Sequence, residues 1–152
     1  MNIKENPAIL FVCMGNICRS PTVEAVARVE FARAGLAIEV ASAGTEGYHV
    51  GDAADPRSIA VAEGYGYPLA GHRARQVVRA DFERYDYVLA MDRVNLRALE
   101  RARPDSGGAE PRLFLGDDEV PDPYYGNHAD FEKVVALARA GVDTWIERLR
   151  KA

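Results

Sequence analysis

The sequence predicts an α/β protein with one four-stranded parallel sheet and helices on both of its faces. Residues 8–12 form a short, unbroken apolar run, which is typical of a strand buried on both sides. Strand-like and helix-like segments then alternate along the chain, with turn residues between them. At 152 residues the chain is long enough for one full core, so we assign residues 1–152 to a single domain.

The first helix is predicted directly after the first strand and a tight loop. Ser20 can cap this helix, and Pro21 suits its first turn. Gly35 supplies a stop. Between these signals, apolar residues recur at helical spacing: Val23, Val26, Ala27, Phe31 and Ala34. The residues before the first strand, 1–7, are predicted to be a short polar lead-in.

A second strand is predicted at residues 37–41, which completes a right-handed strand–helix–strand unit. Residues 42–45 follow at the strand's carboxyl end, the edge where open α/β sheets bind ligands. Asp55 and Pro56 then open another helix, as its N-cap and first residue. Pure capping is the favoured interpretation of Asp55.

The second half of the chain repeats the alternation. A third strand is predicted at residues 85–91, and Asp92 caps the helix that follows; capping is taken to explain this carboxylate fully. A short fourth strand is predicted at residues 112–115. One apolar face then marks a long final helix: Phe131, Val134, Val135, Ala138, Val142, Trp145, Ile146 and Leu149. The sum is a flavodoxin-like (Rossmann-like) arrangement.

Composition excludes several classes of function. A net charge of −4 argues against general nucleic-acid binding through phosphates. The two cysteines, Cys13 and Cys18, lie in one loop, which excludes a disulfide scaffold and favours a reducing compartment. No stretch approaches about twenty apolar residues, so we expect no membrane span. We expect a cytoplasmic protein, with signal-independent export left open.

The loop after the first strand carries the main chemical signal. Cys13 and Arg19 bracket five residues that include Gly15 and Asn16, both tolerant of unusual backbone angles. Consecutive amides in such a loop, together with a helix start, form a cup that favours an anion. The Arg19 fork matches two phosphate oxygens, and the same field favours a nucleophilic thiolate at Cys13. Ser20 can donate a hydrogen bond to the sulfur.

This loop, Val-Cys-Met-Gly-Asn-Ile-Cys-Arg-Ser-Pro, resembles the phosphate-binding loop of the low-molecular-weight protein tyrosine phosphatases. The similarity covers nearly the whole chain and is dense in two places. It implies a phosphotyrosine phosphatase that forms a phosphocysteine intermediate on Cys13, without metal or cofactor. The implied loop consists of Met14, Gly15, Asn16, Ile17, Cys18, Arg19 and Ser20, and it would hold inorganic phosphate or other oxyanions.

The second dense place is Asp-Pro-Tyr-Tyr at residues 122–125. A thiolate phosphatase needs an acid for the leaving oxygen and a base for the attacking water, and one carboxyl group can serve both steps. Asp122 is our choice, and it coincides with the family's acid motif. Pro123 stiffens its loop. The competing carboxylates Asp117, Asp118 and Glu119 could instead form an acidic rim; a metal site is disfavoured, because no histidine pair accompanies them.

The resemblance also implies supporting roles. Ser42 would hold the loop asparagine, although a plain turn serine is the equal alternative. His72 would support the phosphate loop from behind rather than act as a base, with a surface histidine as the alternative. Tyr48, Tyr124 and Tyr125 would wall the pocket beside an aromatic ring. We expect phosphotyrosine proteins as partners, and a monomer or weak dimer.

Three other functions are alternatives to phosphotyrosine hydrolysis. Protein arginine phosphatases resemble this chain but typically carry threonine where it has Ile17. Thiol-dependent arsenate reductases relay electrons through further cysteines, which this chain lacks. A phosphate-binding module without activity would need neither thiol nor acid. Finally, a disulfide between Cys13 and Cys18 is feasible across the curled loop and would make the nucleophile redox-sensitive; the alternative is that Cys18 only packs.

Overall fold

The computed structural model describes residues 6–151. Its strands are Ala8–Cys13 (β1), Glu39–Gly44 (β2), Tyr87–Ala90 (β3) and Arg112–Leu113 (β4). They form one parallel sheet in the order β2-β1-β3-β4. The predicted α/β class with a four-stranded parallel sheet is therefore confirmed. Residues 1–5 of the predicted lead-in lie outside the described residues.

Five helices surround the sheet in the described part of the chain: Arg19–Arg33 (α1), Pro56–Gly64 (α2), Asp81–Arg84 (α3), Arg93–Ala102 (α4) and His128–Lys151 (α5). The side chains of β1 alternate between two apolar cores. Ile9 and Phe11 face the core formed with α1, α2 and α5. Leu10 and Val12 face a smaller core that includes residues of α3 and α4. Helices thus cover both faces, as predicted.

The boundaries of β2 were predicted wrongly. The strand was expected at residues 37–41, but it begins at Glu39 and ends at Gly44. Pairing with β1 explains the shift, because Ala8 lies opposite Glu39 and Cys13 lies opposite Gly44. The register of the partner strand, which local sequence does not encode, therefore sets both ends of β2.

Other boundaries differ more modestly. β3 and β4 are shorter than the predicted 85–91 and 112–115. The four-residue helix α3 was not predicted, since one turn is too short for an apolar period. Two helix boundaries agree with the prediction. Gly35, with a φ of 75°, follows the end of α1. Asp55 caps the start of α2, where its carboxylate accepts from the Arg57 backbone amide at 2.8 Å.

All four strands are parallel, so their carboxyl ends meet at one edge of the sheet. The loop after β1 and the loop between β4 and α5 both leave from this edge. Residues more than a hundred positions apart are thereby brought together. Within residues 6–151, no helix combines the length and the apolar character that crossing a bilayer requires.

Candidate active site

A pocket of about 250 Å³ opens at the carboxyl edge of the sheet, and Cys13 lies in its wall. Cys13 is the last residue of β1 and is only 3% exposed. The loop of residues 116–127, called the Asp122 loop below, forms the opposite wall. The lining residues are Cys13, Met14, Gly15, Ile17, Cys18, Arg19, Tyr48, His49, Asp122, Tyr124 and Tyr125.

The loop of residues 13–19 turns its carbonyl groups toward the scaffold. Thr45 donates to the Cys13 carbonyl at 2.9 Å, and Glu46 donates to that of Met14 at 3.0 Å. The Ile17 carbonyl accepts from the Asp55 amide at 2.8 Å. In a trans peptide the carbonyl and the following N–H point to opposite sides. The N–H groups after these carbonyls therefore point away from the scaffold, into the cup, as an anion-binding loop requires.

Asn16 holds the loop in shape. It is completely buried and has a φ of 59°, in the left-handed region. Its carbonyl accepts from His72 Nε2 at 2.7 Å, and its Oδ1 accepts from the Arg75 amide at 2.9 Å. His72 thus contacts the loop through the Asn16 carbonyl. These bonds fix a backbone conformation that costs energy for any residue with a Cβ.

A chain of hydrogen bonds runs from Asn16 to the cysteine sulfur. Asn16 Nδ2 donates to Ser42 Oγ at 3.0 Å and to Ser20 Oγ at 2.9 Å. Ser42 Oγ in turn donates to Glu24 at 2.6 Å. Ser20 Oγ accepts from Asn16 and lies 3.0 Å from Cys13 Sγ and 3.4 Å from the Ala43 carbonyl, so its hydrogen can go to either. A thiolate at Cys13 can only accept, and Ser20 would then be its donor.

Ser20 does not cap α1, so that part of the prediction was wrong. The helix begins at Arg19, Cys18 occupies the N-cap position, and no side chain caps the first turn. The Ser20 hydroxyl contacts Cys13 and Asn16 instead. Ser20 is the second residue of α1, where its hydroxyl makes these contacts rather than a cap, and local sequence does not show which bonds it makes.

Arg19 is buried beside the sulfur, with 3% exposure, and is held by a carboxylate. Its Nη1 donates to Asp92 at 2.6 Å and to the Val120 carbonyl at 3.1 Å. Burial lowers the pKa of this guanidinium, but Cys13 and Asp92 outweigh burial, and the net pKa is raised. The cation is thus fixed in charge and in orientation.

Capping alone does not explain Asp92, contrary to the sequence prediction. One carboxylate oxygen does cap α4, accepting from the Asn95 amide at 2.8 Å. The other accepts from Arg19, 73 positions earlier in the chain. The same side chain therefore starts a helix and orients the arginine of the cup.

Cys18, which also lines the pocket, is a buried free thiol, and Cys13 is likewise unpaired. Burial is the largest cause that raises the pKa of Cys18 to about 12, and the Asp55 carboxylate raises it further. At neutral pH Cys18 is therefore protonated.

Asp122 lies across the pocket and is half exposed. Its Oδ1 accepts from the Tyr124 amide at 3.1 Å, and its Oδ2 lies 3.9 Å from Arg19 Nη2. Of the competing carboxylates, Glu119 accepts from the Arg93 amide at 2.8 Å, toward α4. Asp122 is the acidic side chain of this loop that lines the pocket.

Aromatic residues form the pocket mouth. Tyr124 and Tyr125 make an edge-on contact, with ring centroids 4.9 Å apart. Tyr48 and Tyr125 are 71% and 95% exposed, so both rings stand at the rim rather than in the depth. Next to Tyr48, His49 also lines the pocket and packs on Gly15. Sequence reasoning missed His49, which no motif singles out.

Arg57 was also missed. It pairs with Asp55 through two contacts, Nε to Oδ1 at 3.1 Å and Nη2 to Oδ2 at 2.8 Å. Its guanidinium carbon lies 4.6 Å from the Phe131 ring centroid and 5.5 Å from that of Tyr124. The capping motif at Asp55 was visible in the sequence, but the approach of Tyr124 and Phe131 was not.

The chain is similar to known proteins along almost its whole length. Residues 8–152 match the family model described as low molecular weight phosphotyrosine protein phosphatase. A Streptomyces coelicolor low molecular weight protein-tyrosine-phosphatase is 46% identical over 143 residues, covering 87% of each chain. The Homo sapiens low molecular weight phosphotyrosine protein phosphatase is 40% identical, covering 84% of this chain and 85% of its own.

Solved structures agree. The crystal structure of a protein tyrosine phosphatase from Entamoeba histolytica, with Hepes in its active site, has a TM-score of 0.90 at 35% identity, covering 95% of this chain and 97% of its own. Vibrio vulnificus Wzb in complex with benzylphosphonate has a TM-score of 0.84 at 30% identity, with coverage of 93% and 98%.

Proposed function

This chain belongs to the low molecular weight phosphotyrosine protein phosphatase family, and from that premise we propose that it hydrolyses phosphotyrosine in proteins through a phosphocysteine intermediate. Small aryl phosphates would be substrates of the same site. One observation carries the proposal: Cys13, Arg19 and Asp122 line a single pocket, and the Ser20 hydroxyl lies 3.0 Å from the sulfur.

In the first step the Cys13 thiolate attacks phosphorus, and the bond from phosphorus to the tyrosine oxygen breaks. The inward amides of Met14, Gly15 and Cys18 and the Arg19 guanidinium hold the equatorial oxygens. Asp122 gives its proton to the leaving oxygen, so that tyrosine departs neutral. The support is geometric, since Asp122 faces the cysteine loop across the pocket.

In the second step the Asp122 carboxylate takes a proton from water while the water oxygen attacks phosphorus. The sulfur–phosphorus bond breaks, phosphate leaves, and the thiolate is restored. A hydrogen bond from Ser20 stabilises the departing sulfur anion. Neither step uses a metal or a redox cofactor.

The pocket shape supports an aryl phosphate substrate. The sulfur lies at the buried base, while Tyr48, Tyr124 and Tyr125 stand at the mouth. A phosphotyrosine ring would pass between these rings and place its phosphate in the cup, whereas a phosphoserine side chain is too short to do so. The benzylphosphonate bound to the Vibrio relative has the same aryl and phosphoryl parts.

The alternative functions have less support. Arsenate reduction by this fold needs cysteines beyond the loop, and the chain has only Cys13 and Cys18. Arginine phosphatase activity is disfavoured by Ile17 and by the paired tyrosines. A pure binding module would not require Asp122 in the pocket.

The decisive experiment is phosphate release from matched phosphotyrosine, phosphoserine and phosphoarginine substrates, with EDTA present. We expect release from phosphotyrosine by the wild type and none by Cys13→Ser. Preference for phosphoarginine would keep the mechanism and overturn the substrate. Near-normal turnover by Cys13→Ser would overturn the nucleophile, and tight phosphate binding without release would indicate a binding module.

We further propose a cytoplasmic setting, which the two free thiols support. Cys13, Arg19 and Asp122, the three residues that the mechanism uses for chemistry, meet in one pocket of a single chain. This supports a functional monomer or weak dimer.

A further inference from the structure

Backbone hydrogen bonds hold the first half of the Asp122 loop to the rest of the protein, but not the part beside Asp122. Val120 donates to the Met91 carbonyl at 2.8 Å and accepts from Arg19 at 3.1 Å. From residue 121 to residue 126, the backbone hydrogen bonds in the described chain stay inside the loop, as from Gly126 to the Pro123 carbonyl at 2.8 Å. This part of the loop is therefore held over the cup by side-chain contacts, of which the 3.9 Å approach of Asp122 Oδ2 to Arg19 Nη2 is one.

Arg57 makes another such contact. Its guanidinium lies within cation–π distance of Tyr124, two residues after Asp122, and of Phe131 in the first turn of α5. Phe131 is 2% exposed, so one of these two rings is fixed in the core. The cation thus contacts both the Asp122 loop and the helix into which that loop leads.

The same guanidinium is linked to the phosphate-binding loop through Asp55. Its guanidinium forms a two-point ion pair with Asp55, whose carboxylate is 6% exposed. The Asp55 amide donates to the Ile17 carbonyl at 2.8 Å. A planar guanidinium can make the paired and the stacked contacts at once, which an ammonium group cannot.

We propose that Arg57 is a positioning residue that fixes the distance between the Asp122 loop and the phosphate-binding loop. This inference rests on the proposed function, and specifically on Asp122 as the acid. A general acid must lie within hydrogen-bond reach of the leaving oxygen, and a displacement of about 1 Å costs much of its effect. Loss of Arg57 therefore harms the proton transfer and leaves the cup intact.

The test compares substrates that differ in their need for an acid. Phenyl phosphate releases a weakly acidic phenol and needs protonation; 4-nitrophenyl phosphate releases a stronger acid and needs it less. The quantity measured is kcat/KM, which reports the steps up to phenol release. The variants are Arg57→Ala, Arg57→Lys, Asp122→Ala and the double variant of Arg57→Ala with Asp122→Ala. Arg148→Ala is the matched control, because Arg148 stacks on Trp145 at 4.5 Å and does not line the pocket.

We expect Arg57→Ala to lower kcat/KM about tenfold for phenyl phosphate and less than about threefold for 4-nitrophenyl phosphate. Arg57→Lys keeps the charge near Asp55. It should also lose more kcat/KM on phenyl phosphate than on 4-nitrophenyl phosphate, but both losses should be smaller than in Arg57→Ala. In the Asp122→Ala background, Arg57→Ala should add no selective loss. Inhibition by inorganic phosphate should stay unchanged in Arg57→Ala, and Arg148→Ala should match the wild type on both substrates.

Two results would overturn the role of Arg57. One is an equal loss of kcat/KM on the two substrates in Arg57→Ala. The other is a loss selective for phenyl phosphate when Arg57→Ala is added to Asp122→Ala. If Arg57→Ala does not fold, Arg57→Lys decides by the same ratio. Failure of the proposed function gives a different result. In that case Asp122→Ala itself would show no selectivity between the substrates, or Cys13→Ser would retain turnover.

Discussion

Arg19 donates to the Asp92 carboxylate at 2.6 Å, although the two residues lie 73 positions apart. One is the first residue of α1 and the other is the N-cap of α4. This contact aims the guanidinium into the cup, because it fixes one side of the planar fork. The proposed mechanism therefore depends on a residue whose local sequence shows only a helix start.

Asp92→Asn should lower kcat/KM for aryl phosphates by about tenfold or more, since a buried charge loses its charged partner. The single oxygen of asparagine can keep the cap or the Arg19 bond but not both, so the free energy of unfolding should also fall, by about 1–3 kcal/mol. Steady-state kinetics and urea unfolding measure the two effects. Glu119→Gln is the control, as Glu119 contacts the Arg93 amide and not Arg19. Normal kinetics in Asp92→Asn would contradict the orienting role.

Asn16 offers a test that separates backbone strain from side-chain bonds. Its φ of 59° suits glycine, so Asn16→Gly loses only the hydrogen bonds to Ser20, Ser42 and the Arg75 amide. Asn16→Ala loses these bonds and adds left-handed strain of about 1 kcal/mol. Urea unfolding should rank wild type above Asn16→Gly, and Asn16→Gly above Asn16→Ala. Equal stability of the two variants would show that the loop relaxes to another conformation.

Cys18 is expected to protect the nucleophile from irreversible oxidation. Peroxide converts Cys13 to a sulfenic acid, and the Cys18 thiol then displaces water to form a disulfide, which added thiol reduces. Cys18→Ser should therefore recover less activity than the wild type after peroxide and thiol treatment. Peptide mass spectrometry checks for the disulfide. Equal recovery would leave Cys18 as a packing residue.

The buried Cys18 thiol also predicts a pH dependence of stability. Its pKa is raised from 9.0 to about 12 in the folded chain. The unfolded chain therefore releases this proton first, and the free energy of unfolding falls as the pH rises from about 9 toward 12. Cys18→Ala should flatten part of this fall. Urea unfolding of both proteins between about pH 8 and pH 10.5 covers the first half of this fall. If the free energy of unfolding depends on pH equally in the wild type and in Cys18→Ala, the burial effect is contradicted.

Two glycines should respond oppositely to alanine. A Cβ at Gly141 would overlap the Phe114 ring and the Leu115 side chain, so Gly141→Ala should cost about 1–3 kcal/mol of unfolding free energy. Gly64, at the end of α2, has open space around it, and Gly64→Ala should be neutral or stabilise by up to about 1 kcal/mol. Thermal unfolding measures both. A neutral Gly141→Ala would mean that α5 can shift relative to Phe114 and Leu115.

The sequence by itself determined the parts of this protein that are local in the chain. The apolar run, the cysteine loop and the helix start are contiguous, so their order alone predicts a cup with Cys13 at its base. Parallel strands must end at one edge, which also placed Asp122 opposite that cup. The caps at Asp55 and Asp92 needed only their near neighbours.

Only the tertiary structure decided how distant side chains complete the site. Strand pairing, not composition, set the ends of β2. Burial forces polar groups to find partners wherever the fold brings them, so Arg19 meets Asp92 and the Asn16 carbonyl meets His72. For the same reason Arg57 could be seen as a neighbour of a helix cap, but not as a contact of Tyr124. Such pairings depend on register and packing, which no local pattern records.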